Sequence, residues 1–247
     1  MNPTLENFLC VFKCPVCLEP VALGEEEDVL CPVCRAKFES EKREICVDCG
    51  LPAPLCRCPG EFMPKDDSGR LVKLSFYRAG SRSATDRLVV RLKHCLDVRA
   101  FDFTAGQLVP GILSELEARG VTAEDAIVTY APRSARSERR DGFDQGRELS
   151  LAISRATGIR HEELLFRLKH SRMQKSLDTE QRHRNAADAF RTEKGLSLAG
   201  RTVILVDDVV TTGSTMSACI ELLKRAGAGN VVCVAIAKTR STVKTTE

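Results

Sequence analysis

Tryptophan is absent from the 247 residues, tyrosine occurs only as Tyr77 and Tyr130, and aromatic residues make up 5% of the chain. Proteins that hold single strands of nucleic acid without reading their sequence stack bases on aromatic side chains, so this scarcity argues against a stacking groove. No Gly-Lys-Ser/Thr follows an apolar strand and no Gly-x-Gly-x-x-Gly is present, which removes the Walker and Rossmann phosphate loops. No run resembles a signal peptide and none approaches the length of a membrane span, so a cytoplasmic protein without membrane insertion is expected.

What is present is unevenly divided. Nine of the twelve cysteines precede residue 59, whereas Cys95, Cys219 and Cys233 sit singly in apolar-periodic segments and read as core fillers. Residues 1–64 carry six Lys/Arg against eleven Asp/Glu, a formal −5; the other 183 residues carry 31 against 23, a formal +8. A phosphate-rich partner is therefore expected on the larger part. The length suits one substantial core with a small appended module, here residues 70–247 and 1–64. Between them, residues 62–69 hold turn formers without apolar periodicity and read as a linker.

Cys14-Pro-Val-Cys17 and Cys31-Pro-Val-Cys34 repeat one four-residue turn on either side of the acidic run Glu25-Glu26-Glu27-Asp28. Two such knuckles aim four thiolates at one point, and four sulfurs about 2.3 Å from a Zn²⁺ close a tetrahedron with no position left for water. The site is expected to be structural. Cys46-Val-Asp-Cys49 and Cys56-Arg-Cys58 offer a second set whose last pair, Cys-x-Cys, bends differently from a knuckle. Sequential and cross-braced pairings both fit these spacings. Cys10 is left over. A ribbon this small cannot build its own core, so metal folds it and its surface serves for docking.

Beyond residue 70, strand-like and helix-like segments alternate. Residues 71–77 and 126–130 read as strands, Leu88, Val89, Leu92, Cys95 and Leu96 as one helical face, and Leu108, Ile112, Leu113 and Leu116 as another, started or kinked at Pro110 and closed by Gly120. Leu149, Ala152, Ile153 and Ala156 line a helix ended by Gly158, Met216, Ile220 and Leu223 one that runs to Gly227, and residues 202–206 and 230–237 are further strands. Such alternation predicts an α/β fold: a parallel sheet with helices on both faces and ligands at the carboxyl ends of its strands.

One of those ends carries most of the chemistry. The apolar run 203–206 passes into Asp207, Asp208, Val209 and Val210, then into Thr211, Thr212, Gly213, Ser214 and Thr215 at the start of a helix. A helix N-terminus has unpaired N–H groups and partial positive charge, so a turn of small residues there can wrap a phosphate. Two carboxylates at the strand end can accept hydrogen bonds from a ribose diol just beyond it. This order of strand, paired acids and Thr-Thr-Gly turn resembles the PRPP-binding motif of type I phosphoribosyltransferases.

Cations gather near other strand ends. Arg133, Ser134, Arg136, Arg139 and Arg140 follow the strand at 126–130, and Lys169, Arg172, Lys175, Arg182 and Arg184 lie in a stretch with few apolar residues. That stretch reads as a basic flap that closes over a leaving group, or as a nucleic-acid-binding arm.

Together, the cysteine pairs, Arg172-Met-Gln174-Lys175-Ser-Leu177 with Arg184-Asn185, and the 207–215 motif closely resemble the ComF family over most of the chain. The resemblance implies a double zinc ribbon followed by a type I phosphoribosyltransferase-like domain. It also implies, in bacteria that need these proteins for natural transformation, a helicase-like partner and single-stranded DNA. PRPP with Mg²⁺ would lie on residues 207–215, with the loop at Arg133 and Ser134 and the segment at Arg172 and Lys175 facing its pyrophosphate. One departure stands out: the family's Arg-Gly-Phe-Asn-Gln is Asp141-Gly142-Phe143-Asp144-Gln145 here, an acid in place of an arginine. Two functions are thus expected to compete: phosphoribosyl transfer to an acceptor with Asp207 and Asp208 as the catalytic pair, and non-enzymatic handling of DNA in its uptake, regulated by PRPP or a nucleotide.

Overall fold

The computed structural model describes residues 12–21, 29–78, 80–168 and 188–240. Its centre is a parallel sheet of six strands: β1 (Leu71–Val72), β2 (Ser75–Tyr77), β3 (Ala126–Tyr130), β4 (Arg160–His161), β7 (Thr202–Val210) and β8 (Asn230–Thr239). The order is β1-β8-β7-β3-β4, with β2 continuing beside β8 after β1. Short β5 (Leu165–Arg167) and β6 (Phe190–Thr192) pair antiparallel outside it.

The central strands read Val-Ile-Leu-Val and Val-Val-Cys-Val because both faces are covered, as parallel sheets require. Along β7, Ile204 and Val206 join one apolar cluster while Val203 and Leu205 join the other, the alternation of a pleated strand. The first cluster includes α2 (Ala84–His94), α3 (Val98–Glu117) and α5 (Gln145–Thr157), and the second α6 (Ser214–Arg225). Register places Tyr130 beside Val206 and Asp207 beside Ala235. The turns that follow β3 and β7 therefore emerge side by side at one edge.

The amino-terminal cysteine segments are built into this body. The first cysteine pair of each set closes on a single bridge, Lys13 with Pro20 around Cys14–Cys17 and Ile45 with Pro52 around Cys46–Cys49, and Pro32 opens α1 (Pro32–Lys42) directly after Cys31. Val16, Leu30 and Phe38 lie in the same apolar cluster as Leu88, Leu92 and Phe101. The Glu41 carboxylate accepts from the N–H groups of Ala84 and Thr85, at 2.6 and 2.8 Å, at the start of α2. A side chain of the cysteine region thus satisfies donors that a helix of the sheet domain leaves orphaned.

Several local expectations are corrected. Residues 71–77 form two strands because Lys73, fully buried, turns its ammonium to Cys56, 2.8 Å from the carbonyl oxygen and 3.1 Å from Sγ. The run 62–69, read as a linker, packs: Met63 is buried, and Glu115 pairs with Arg57 on one side of this segment and Arg70 on the other. Pro110 does not start a helix but lies inside α3, the place the kink alternative gives it. Leu113 is exposed, and Leu96 falls beyond the end of α2. The arginine-rich loop contains a short helix, α4 (Ala135–Asp141), capped by the Ser134 hydroxyl.

Candidate functional site

Strand β7 runs through both acids to Val210, and only then does the chain turn. Val209 and Val210 remain paired with β8, Thr211 and Thr212 make the turn, and Gly213 caps α6 with φ of 87°, a left-handed conformation glycine adopts without strain. Thr212 and Ser214 hydroxyls lie 3.0 Å apart. Ser214 and Thr215 open a twelve-residue helix, so unpaired N–H groups and the positive end of its dipole meet at this turn. Residues 207 to 215 are thereby brought together as the motif predicts.

The two acids differ. Burial, then the neighbouring Asp208 charge, raises Asp207 well above the ordinary carboxylate range. Asp208 Oδ2 lies 3.1 Å from Lys93 Nζ at the end of α2. Sequence reasoning gives no ground for singling out Lys93, one of several cations on an amphipathic helix. Only the fold brings it to β7.

On the neighbouring turn after β3, Arg133 N–H donates to Asp144 Oδ2 at 2.8 Å, and its guanidinium lies 3.1 Å from Asp141 and donates to the Lys93 carbonyl oxygen at 3.5 Å. Ser134 accepts from Ser137 N–H at 3.2 Å. Arg140 chelates Asp141 at 2.9 and 2.8 Å, and His94 lies 3.0 Å away. The hydrogen bond from Arg140, with His94 and Arg133, holds Asp141 well below the usual carboxylate range. The acid that replaces the family's arginine is thus the hub of a cationic cluster. Arg172 and Lys175 lie outside the described residues.

Asp144 caps α5 by accepting from Gly146 and Arg147 N–H at 2.8 and 3.3 Å. Next to it, Gln145 is fully buried, and neither amide atom has a hydrogen-bond partner among the described residues. Such orphans are rare enough in folded chains to mark places where a ligand or water completes the structure.

The cysteines assemble in sequence order. Cys14, Cys17, Cys31 and Cys34 form one cluster, Cys46, Cys49, Cys56 and Cys58 the other, each with its sulfurs within 4.8 Å of one another. Cys17 and Cys31 sulfurs stand 3.7 Å apart, close to the roughly 3.8 Å edge of a tetrahedron with 2.3 Å metal–sulfur bonds. Burial pushes the Cys56 thiol up, but the Lys73 ammonium pulls it down to about 7, toward the thiolate a metal needs. Both sets are suited to zinc.

A 32% identity over 221 residues joins this chain to the DNA utilization protein YhgH of Escherichia coli O6:H1 (strain CFT073), covering 88% of this chain and 93% of that one. The chain belongs to the ComF family. The YhgH protein of Salmonella typhimurium (strain LT2) is likewise 32% identical, over 224 residues and 93% of its length. Competence protein F of Haemophilus influenzae (strain Rd) is 36% identical over 90 residues, 36% of this chain and 39% of that protein. Residues 150–246 match the phosphoribosyl transferase domain. Among solved structures, a purine phosphoribosyltransferase from Pyrococcus horikoshii Ot3 overlaps 56% of this chain and 85% of its own at 18% identity, with a TM-score of 0.33. Among the described residues no helix is long and apolar enough to cross a membrane.

Proposed function

We propose that this ComF-family protein binds PRPP with Mg²⁺, placing the 5-phosphate on residues 211–215 and the ribose diol on Asp207 and Asp208. The observation that carries this reading is the delivery, by one strand, of two carboxylates and a hydroxyl-rich turn to the N-terminus of α6. Oriented N–H groups and the helix dipole favour a phosphate dianion there. Mg²⁺ usually keeps waters and substrate oxygens as ligands, so it would arrive on the pyrophosphate and need no protein cage.

Transfer, in this reading, breaks the bond from C1 of the ribose to pyrophosphate and forms one from C1 to an acceptor. Positive charge then develops on the ring, and the Asp207–Asp208 pair is the nearby anionic group that favours it. Arg133 is the described cation on the adjacent turn, and Arg172 and Lys175 would add to it. Zinc in the two cysteine clusters would hold the amino-terminal region without entering the chemistry. Isothermal titration with PRPP and Mg²⁺ tests the site: Asp208→Asn is expected to weaken binding by roughly 1–3 kcal/mol, the worth of a charge-assisted hydrogen bond. Equal affinity in both proteins would place the ligand elsewhere.

A second reading draws on the relatives' names, which speak of DNA utilization and competence. In it the protein is an adaptor or single-strand handler in DNA uptake, working beside a helicase-like protein, and the phosphosugar site regulates it. Turnover separates the two: pyrophosphate release from PRPP dependent on an acceptor base supports transfer, while tight binding without release across all bases supports the adaptor.

A further inference from the structure

The second cysteine cluster and the phosphate turn are neighbours along a very short path. Gly60 follows the ligand Cys58 by two positions, and residues 60–63 lie directly on the turn. Phe62 N–H donates to the Thr212 carbonyl oxygen at 2.9 Å. A Cβ on Gly60 would stand 2.9 Å from that oxygen and 3.1 Å from Gly213 N, so only glycine allows this approach. Met63 is buried with its Cγ 2.5 Å from where a Cβ on Gly213 would fall.

This packing decides the orientation of a peptide. In a trans peptide the C=O and N–H point in opposite directions, so fixing the Thr212 carbonyl on Phe62 fixes the Gly213 N–H facing away from it. That N–H belongs to the residue that caps α6, among the donors a phosphate would use. The near end of the segment is held equally firmly. Lys73 anchors Cys56, Leu71 N–H donates to the Arg57 carbonyl at 3.2 Å, and Lys65 Nζ lies 3.0 Å from the Gly60 carbonyl oxygen.

We propose that residues 60–63 are a positioning strap for the 211–215 turn, and that metal occupancy of the Cys46–Cys49–Cys56–Cys58 cluster sets the strap. Metal bound by Cys56 and Cys58 fixes the backbone that leads into Gly60. Without it those residues regain conformational freedom, and the Phe62–Thr212 bond must be formed against that entropy. The amino-terminal region then acts as a metal-dependent control on phosphate binding as well as a docking surface. Gly60, Phe62 and Met63 act through the turn and touch no reacting atom.

The test uses full-length, zinc-loaded protein and reads two quantities: exchange of the Phe62 and Ser217 amides, which donate to the Thr212 and Gly213 carbonyl oxygens, and affinity for ribose 5-phosphate and for PRPP with Mg²⁺. Gly60→Ala keeps all eight cysteines of the two clusters. It is expected to retain both zinc ions, lose exchange protection at Phe62 and Ser217, and bind about threefold to tenfold more weakly, the factor of one lost hydrogen bond. Met63→Leu should restore what Met63→Ser loses. Cys58→Ser is expected to shed one zinc and lose the same protection, whereas Val47→Ser, on the exposed tip of the Cys46–Cys49 turn, should leave zinc, protection and affinity as in wild type. If Cys58→Ser does not fold, graded chelation of wild type supplies the comparison. Wild-type protection at Phe62 and Ser217 after loss of the second zinc, or in Gly60→Ala, overturns the proposal. The binding arm rests on the phosphosugar reading above, but exchange needs no ligand: a wild type that binds neither probe defeats that reading and leaves the strap to be judged on exchange alone.

Discussion

Lys93 Nζ lies 3.1 Å from Asp208 Oδ2, so α2 sends a cation onto the carboxylate pair that ends β7. Beside that ion pair, Asp207 is a carboxylate the fold makes costly to ionise, because burial and the Asp208 charge raise it and Lys93 opposes them. A group raised in the folded state stabilises below its unfolded value and loses that contribution as pH rises through its folded value.

Ionising Asp207 is therefore a cost to the fold. Asp207→Asn should raise stability by about 1 kcal/mol, or about 2–4 °C in Tm, while weakening phosphosugar binding. Lys93→Met should do the reverse to stability at pH 7, with the deficit shrinking as the pH falls. Thermal unfolding between pH 5 and 9 reads both. A lower Tm for Asp207→Asn at pH 7 would show that its carboxylate is satisfied in the fold.

Gln145 makes a second case of structure held against its own stability. A buried amide without partners costs about 1–3 kcal/mol, and replacing it by an apolar group of similar shape can recover that. Gln145→Leu is expected to raise the unfolding midpoint and to reduce phosphosugar affinity. Chemical denaturation paired with titration checks it, and a destabilised variant with unchanged affinity would make Gln145 an ordinary core residue.

The sheet and its site were legible because local pattern and tertiary environment agree there. Strand β3 has the bounds its apolar run predicts, Gly158 caps α5 with φ of 72°, and the 207–215 motif lies at the strand-to-helix junction. Partners set by distant packing carried no such signal. Lys93 and Asp208 are far apart in sequence, Lys73 splits one expected strand to reach Cys56, and residues 62–69 looked like a linker because their turn formers mark a tight path as readily as a free one. Strands of two or three residues, such as β4 and β5, lack the length for a period to show.

Glu115 on α3 gathers Arg57, Arg70 and Arg119 and so ties the cysteine region to the sheet domain. Burial alone would raise this carboxyl, but hydrogen bonds from Arg70, Arg119 and Arg57 outweigh it and bring it down to about 2. A depressed carboxylate stabilises above its unfolded value and loses that contribution as pH falls through its folded value. Glu115→Gln leaves the arginines without their counterion and should cost about 3 kcal/mol at pH 7. The gap to wild type should close as the pH approaches 2. Urea unfolding across pH 3–8 measures this, and a gap that does not narrow toward acid pH would mean packing, not charge, holds the junction.

If nucleic acid is a ligand, electrostatics predicts where it lies. The larger part carries a formal +8, and Arg172, Lys175, Arg182 and Arg184 form one of its basic stretches. A competing surface exists beside the first cysteine cluster, where exposed Lys37, Arg82 and Arg87 line a cavity with Val16 and Val33. Deleting residues 1–64 would not separate the two, since Phe38 and Glu41 support α2 and α3. Substitution does: the four-residue Ala variant in the 172–184 stretch should bind single strands more weakly and flatten the dependence on log salt, by about 0.7 in slope per lost phosphate contact. Lys37→Ala with Arg82→Ala and Arg87→Ala should leave both affinity and slope unchanged. Fluorescence anisotropy at stepped salt concentrations reads the slopes. If the triple variant loses the contacts and the quadruple variant keeps them, the cavity at the first cluster is the nucleic-acid surface and the basic stretch serves the phosphosugar site alone.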